Sequence, residues 1–268
     1  MIQLDGVSVR YARCTALHPT TVKLIAGECT VLLGHSGAGK STLLRCINLL
    51  TAPSSGTVSI TGVGPLQDRQ SIEKHRRHTA MIFQQHQLIG RHTALQNVMV
   101  GRLGYHGTLR SLFPLSKAEQ HLGLESLERV GLLHKAMERV DRLSGGEQQR
   151  VGIARMIVQK PQIILADEPV ASLDPATARR IMGLLREICK EERLTAVVSL
   201  HQIEIAQIFA ERIIGLKAGR IIFDGHPLEL TNSVISAIYN FREAKGQAAD
   251  GLTEMEETYL PEAIGFIQ

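Results

Sequence analysis

The sequence predicts an α/β fold around a central, mostly parallel sheet, and three stretches carry that prediction. Each is an unbroken apolar run rich in β-branched residues, as expected of strands covered on both faces: 30–33, 162–166 and 195–200. Helical patterns at 43–50, 151–158 and 176–192 lie between and beside them. That alternation is what a parallel sheet with crossover helices requires.

Residues 2–33 hold short β-rich runs at 3–9, 21–24 and 30–33, broken by Gly6, Pro19 and Gly27. Tyr11 stands at a strand end. The helix opening near Gly39 runs to about Leu50 and stops at the turn cluster 51–56. A strand resumes at 57–60, and another, 79–83, follows a basic helical stretch at 72–78. Gln84 then leaves that strand in a polar loop, and from there to about Val140 the pattern is helical. Leu122, Leu124, Leu127 and Val130 fall near helical spacing, so an inserted helical subdomain is expected at about 85–160. Asp174-Pro175 supplies an N-cap and a first-turn proline for the helix over 176–192. The runs 212–216 and 220–223, separated by Lys217-Ala218-Gly219, read as a hairpin. Past about residue 241 the periodicity fades.

Composition narrows the function classes. With 268 residues, 44% hydrophobic and 21% charged, the chain is an ordinary globular one with enough length for a sizeable core. It has no Trp and few aromatics, which argues against a base-stacking platform, and no nucleic-acid partner is expected. A net charge of +4 by itself suits nucleic acid, an anionic membrane surface, the nucleotide itself or plain solvation. Cys14, Cys29, Cys46 and Cys189 have no metal-ligand spacing and read as free thiols in a reducing compartment. The first residues carry no basic-then-apolar signal, and no apolar run approaches the roughly 18 residues of a spanning helix. A cytoplasmic protein that reaches a membrane through a partner is the expectation.

The chemistry concentrates at Gly34-His35-Ser36-Gly37-Ala38-Gly39-Lys40-Ser41-Thr42, spaced G-x-x-x-x-G-K-[ST] between strand and helix. The glycines let successive N–H groups turn inward as an anion nest, and the helix start adds its unpaired N–H groups and positive dipole end. Lys40 is placed to reach terminal phosphates, and the Ser41 hydroxyl to ligate a magnesium ion. An ordinary glycine turn is the competing reading; the strand before, the helix behind and the Lys-Ser pair decide for a nucleotide. Asp167 and Glu168 follow the apolar run 162–166, at the strand end where parallel sheets bind ligands. Asp167 is assigned to the metal and Glu168 to the general base. Further along, Ser144 and Glu147 form a capping box for a helix with Val151, Ile153, Ala154, Ile157 and Val158 on its apolar positions. A cap alone needs no consecutive glycines, so Gly145 and Gly146 mark a second anion site. A head-to-tail pair of subunits could bring each such site to the other's nucleotide.

On these residues the chain resembles the ATP-binding cassette family, the ATPase subunits of ABC transporters, from residue 2 to about 241. Residues 34–42 match its phosphate loop, Gln84 its Q-loop glutamine, and 143–148 its signature. Asp167 and Glu168 match its second Walker motif, 172–174 its D-loop, and His201 its switch histidine. Tyr11 sits where the family stacks an aromatic on adenine. The resemblance implies the P-loop NTPase fold of this family, with an antiparallel β subdomain and the helical insertion within a 1–241 ATPase domain. It implies ATP and Mg2+ as ligands, with Ser41, Gln84 and Asp167 on the metal and Glu168, His201 and Gln84 in catalysis. Gly34, Ser36, Gly37, Gly39, Lys40, Ser41, Thr42 and Tyr11 would hold one face of the ATP, and Ser144, Gly145 and Gly146 of a second copy the other. An integral membrane permease and, indirectly, a periplasmic substrate-binding protein are the further partners, at the cytoplasmic face of the inner membrane.

Within the family, the runs 166–175, 199–202, 97–104 and 108–113 are most similar to the ATPases of phosphonate importers. Import of phosphonate or a related oxyanion such as phosphite is therefore expected, the alternatives being another importer or exporter or a non-transport ABC ATPase. A P-loop kinase would have no use for 143–147. Arg102, Tyr105, Arg110 and Phe113 are expected on a permease-docking face. The C-terminal extension, 242–268, departs from the pattern.

Overall fold

The computed structural model describes residues 1–84, 87–106 and 116–239. Arg110, Phe113 and the extension 242–268 lie outside them. Strands β1 (Ile2–Tyr11) and β2 (Cys14–Leu24) pair antiparallel, and β4 (Ser55–Ile60) and β5 (Gly64–Pro65) complete a four-stranded antiparallel sheet ordered β2-β1-β4-β5. The second sheet has six strands: β3 (Cys29–Leu33), β6 (Thr79–Ile82), β7 (Ile163–Asp167), β8 (Thr195–Leu200), β9 (Arg212–Lys217) and β10 (Arg220–Gly225). Their order is β10-β9-β3-β8-β7-β6, parallel throughout except for the β9–β10 hairpin. This is the expected α/β architecture.

One expectation fails. Gly6 and Pro19 do not break the first strands; they sit inside β1 and β2 at shifts in their register. Asp5 and Gly6 stand opposite Thr21, and His18 and Pro19 stand opposite Ser8, so each is the extra residue of a bulge. Gly6 adopts φ 59, and its N–H goes to Thr21 Oγ1 at 3.0 Å instead of to the ladder. Proline survives in β2 because β2 is the edge of its sheet, where a missing N–H breaks no outer ladder.

The six-stranded sheet is covered on both faces, as its unbroken apolar runs require. Every residue of β7 and β8 is buried. Successive side chains alternate between faces. Leu32, Leu165, Val197 and Ile214 pack on one side with Leu43, Leu44 and Ile47 of α1 (Lys40–Ile47). Val31, Ile164, Ala196, Val198 and Ile213 pack on the other, with Ile181, Met182 and Leu185 of α6 (Pro175–Glu191) and Val151 and Ile153 of α5 (Gly145–Val158). Each of the Val, Leu, Ile and Met side chains among these contributes about 1.5–3 kcal/mol of transfer free energy. The sheet is thus a rigid platform whose strand ends cannot shift independently.

Between β6 and β7 the described residues are helical: α3 (Ala94–Met99), a 3-10 stretch Val100–Tyr105, α4 (Lys117–Arg129) and α5. Val98, Met99, Leu127 and Val151 are buried together among them. Asn97 is fully buried and clamps the preceding loop, accepting from the Ile89 N–H at 2.8 Å and donating to Thr93 O at 3.1 Å. Arg102 is only partly exposed; its guanidinium lies 4.1 Å from the Tyr105 ring centroid and 3.7 Å from Glu119. Tyr105 is exposed but donates its hydroxyl to Gln159 O at 2.7 Å. These residues tie α3, α4 and α5 together, because the turn after Met99 folds the basic side chain inward. Among the described residues no helix is long and apolar enough to cross a membrane. The four cysteines are free thiols, and burial pushes Cys29 and Cys189 up to about 12 and Cys46 to about 11.

Candidate functional site

The phosphate loop leaves β3 and enters α1 through Gly39, which caps the helix at φ 103. A Cβ there would meet Ala16 O at 2.8 Å, so both the angle and the space demand glycine. Lys40, the first residue of α1, folds back and is buried at 4% exposure. Its ammonium donates to Gly34 O at 2.7 Å and His35 O at 3.0 Å, and Glu168 Oε1 stands 3.8 Å away. Burial holds the Lys40 pKa below its ordinary value, while Glu168 and Asp167 pull it partly back up. An anion delivered to this loop would therefore meet a cation whose charge is incompletely compensated. Ser36 and Gly37 are exposed at the loop's tip, and Ser41 and Thr42 are partly exposed in the first helical turn.

Asp167 closes β7 and receives two hydroxyls on one oxygen. Ser41 donates to Oδ1 at 2.8 Å, and Ser199 does so at the same distance. Ser199 also accepts the Glu168 N–H at 2.9 Å. This serine is a residue that sequence reasoning left without a role. Its signal was a fully buried hydroxyl within the apolar run of β8, where parallel pairing sets it opposite Asp167. Glu168 itself adopts φ 49, a left-handed conformation that costs of order 1–3 kcal/mol for a bulky residue. The turn aims its carboxylate between two partners, Lys40 and His201 Nε2, the latter hydrogen-bonded to Glu168 Oε1. Structure thus joins Lys40, Ser41, Asp167, Glu168 and His201 into one cluster at the carboxyl ends of β3, β7 and β8.

Five predicted residues stand apart from it. Tyr11 is 53% exposed at the end of β1. Gln84 is exposed at the bend after β6 and lines an open cavity with Gln148 and Ser172; among the described residues no hydrogen bond links it to Asp167. Ser144, Gly145 and Gly146 open α5 beside a cavity of about 410 Å³ shared with Arg150, Asp174 and Arg180, to which residues 34–42 contribute nothing.

That second site is built from a local cap. Ser144 accepts the Glu147 N–H and donates its own hydroxyl to Glu147 Oε2 at 2.8 Å, while the Ser144 N–H reaches the same oxygen at 2.9 Å. Lys135 donates to the other carboxylate oxygen at 2.7 Å, and this bond with the Ser144 N–H holds the Glu147 pKa down at about 2. A Cβ on Gly145 would find its nearest neighbour, Leu173 Cδ2, at 3.9 Å, an ordinary contact. The fold therefore does not require glycine at 145; something approaching from outside would.

Comparison with known proteins identifies the family. A family model described as ABC transporter matches residues 17–171. The chain is 58% identical over 240 residues to the phosphonates import ATP-binding protein PhnC 1 of Trichodesmium erythraeum, covering 89% of this chain and 95% of that protein. It is 57% identical over 240 residues to the phosphite import ATP-binding protein PxtA of Stutzerimonas stutzeri, covering 89% and 87%. Among solved structures, a dimeric ATP-binding cassette in a post-hydrolysis state with ADP and Pi superposes with a TM-score of 0.74 at 36% identity, covering 85% of this chain and 99% of that one. With a phosphate loop, paired carboxylates at a strand end and a separate glycine-opened helix all present in one matching chain, this protein belongs to the ABC transporter family.

Proposed function

We propose that this chain hydrolyses ATP to drive import of a phosphonate, or a related phosphorus oxyanion such as phosphite, through a membrane permease. The observation that carries the reaction is the cluster in which Glu168 stands 3.8 Å from Lys40 while Asp167 holds the Ser41 hydroxyl. Lys40 leaves its loop carbonyls to receive the β- and γ-phosphates, which also releases Glu168 from its cationic neighbour. Glu168 accepts the proton of the attacking water, and His201, already hydrogen-bonded to it, orients the carboxylate and faces the γ-phosphate. Ser41 and Asp167 present only hard oxygens 2.8 Å apart, a donor pair that fits Mg2+ with its preference for one or two carboxylates plus phosphates. When bound, that ion neutralises charge on the phosphates. Tyr11 stacks on the adenine.

The second face of the ATP comes from Ser144, Gly145 and Gly146 of a second copy, which explains a glycine that the subunit's own packing does not need. Gln84, exposed apart from the cluster in this structure, would supply a further oxygen to the metal once the helices, residues of about 85–160, move as a subdomain within the 1–241 ATPase domain. Beside the bend at Gln84 lies a cavity of about 500 Å³ lined by Arg76, Phe83, Gln87, Tyr105 and Met156. Its mixture of aromatic, Met and Arg side chains is what protein interfaces favour, and the permease docks there. The subunit works at the cytoplasmic face of the membrane, and a periplasmic binding protein acts on it only through the permease.

The substrate reading rests on the relatives, which carry phosphonate and phosphite in their names. Deleting the gene in its host is expected to abolish growth on a phosphonate or on phosphite as sole phosphorus source, with growth on phosphate unchanged. Undiminished growth on both compounds would overturn the substrate assignment while leaving the ATPase assignment in place.

A further inference from the structure

The catalytic cluster is closed by a residue from the far end of the described chain. Helix α8 (Asn232–Tyr239) ends at Tyr239, which contacts two phosphate-sensing segments at once. Its carbonyl accepts from His35 Nε2, and its ring meets the His35 ring edge-on with centroids 5.1 Å apart. Its hydroxyl donates to His201 O at 3.3 Å. Burial raises the Tyr239 pKa, and the Gly34 backbone N–H pulls it the other way. The contacts therefore form a ring. From Tyr239 it passes to His201, to Glu168, to Lys40, to the His35 carbonyl, and through the His35 ring back to Tyr239.

The position of Tyr239 is built into the sheet. Ile238 is fully buried against Gly215 of β9, where a Cβ would meet Ile238 Cδ1 at 2.6 Å. Glycine at 215 is thus the notch that lets α8 sit down. One residue earlier, Ala237 O accepts from Lys217 Nζ at 2.9 Å. Two anchors on β9 hold the last turn of α8 over the carboxyl end of the sheet, and the tyrosine that follows has little choice of place.

We infer that Tyr239 is a positioning residue for ATP hydrolysis, its hydroxyl holding the His201 segment against Glu168 and its ring and carbonyl holding His35 in the phosphate loop. The inference rests on the ATPase reading above. The two halves of the residue act on different steps. His35 belongs to the loop that binds ATP, so the ring governs affinity. The His201 backbone carries the side chain that orients the general base, so the hydroxyl governs turnover.

The test is steady-state hydrolysis by the full chain, with kcat expressed per ATP-binding site counted by titration with a non-hydrolysable ATP analogue. For Tyr239→Phe, kcat per site is expected to fall about three- to tenfold with KM for ATP within about twofold of wild type. For Tyr239→Leu, KM is expected to rise about threefold or more in addition. A purely structural role would reduce the number of binding sites and leave kcat per site unchanged, so normalisation separates the two. A second route avoids the site altogether: Gly215→Ala should displace Ile238 and lower kcat per site, and adding Ile238→Ala should restore part of it, the Phe223 Cβ 3.1 Å from the added methyl staying in place. Tyr239→Phe with wild-type kcat per site, or Gly215→Ala without effect on it, would overturn the inference. A wild-type chain that hydrolyses no ATP would instead overturn the ATPase reading and the inference with it, a failure visible before any variant is made.

Discussion

Glu168→Gln is expected to bind ATP as tightly as wild type and to hydrolyse it about a hundred- to ten-thousandfold more slowly, the range that a general base supplies. The amide keeps the shape of the carboxylate but cannot take a proton from water. Its affinity for ATP should not suffer, because removing the carboxylate 3.8 Å from Lys40 removes a competitor for the ammonium. The strained turn at residue 168 is held by its own N–H to Ser199 and survives the substitution. Single-turnover hydrolysis and equilibrium binding of ATP, measured on the same preparation, separate the two effects. Turnover at the wild-type rate would remove Glu168 from the role of base.

Lys40→Ala is expected to weaken ATP binding by roughly thirty- to several-thousandfold, from the loss of about 2–5 kcal/mol when one partner of a buried charged pair is truncated. Two features of the structure put the effect at the high end. The lysine is buried, and burial already depresses its pKa, so its charge is poorly solvated before the phosphates arrive. Its present partners are two backbone carbonyls and one carboxylate, all replaceable by a polyphosphate. Calorimetric titration with ATP at neutral pH reads the change directly, and unaltered affinity would contradict the phosphate-loop assignment.

What could be seen in the sequence was mostly what depends on neighbours within a turn or a strand. The cap of α5 required only Ser144 and Glu147 three residues apart, and the start of α6 only Asp174-Pro175; both formed as spaced. The buried strands announced themselves by unbroken apolar runs. The bulges at Gly6 and Pro19 were misread as strand breaks because a bulge is a property of pairing, and the partner strand cannot be read from the residue itself. Arg102 looked like a surface cation because its surroundings, the Tyr105 ring, Glu119 of α4 and the carbonyl end of α5, come together only in three dimensions. Ser199 could have been found as a hydroxyl inside a core strand, but its partner lies 32 residues away. Tyr239 could not: its link to His35 spans 204 residues and depends on a glycine notch in β9 that fits one isoleucine.

In the proposed dimer, ATP is sandwiched between the phosphate loop of one copy and the Ser144-Gly145-Gly146 helix start of another. The direct measurement is the mass in solution, by light scattering after size exclusion, of Glu168→Gln and of Glu168→Gln/Gly145→Leu, each with and without ATP and Mg2+. A Cβ on Gly145 meets nothing closer than 3.9 Å within its own subunit, and retained ATP binding by the double variant checks that its fold is intact, so that the added leucine obstructs only what approaches from outside. The expected result is an ATP-dependent dimer for the single variant and a monomer that still binds ATP for the double variant. An equally stable ATP-dependent dimer carrying leucine at both copies of position 145 would contradict the sandwich.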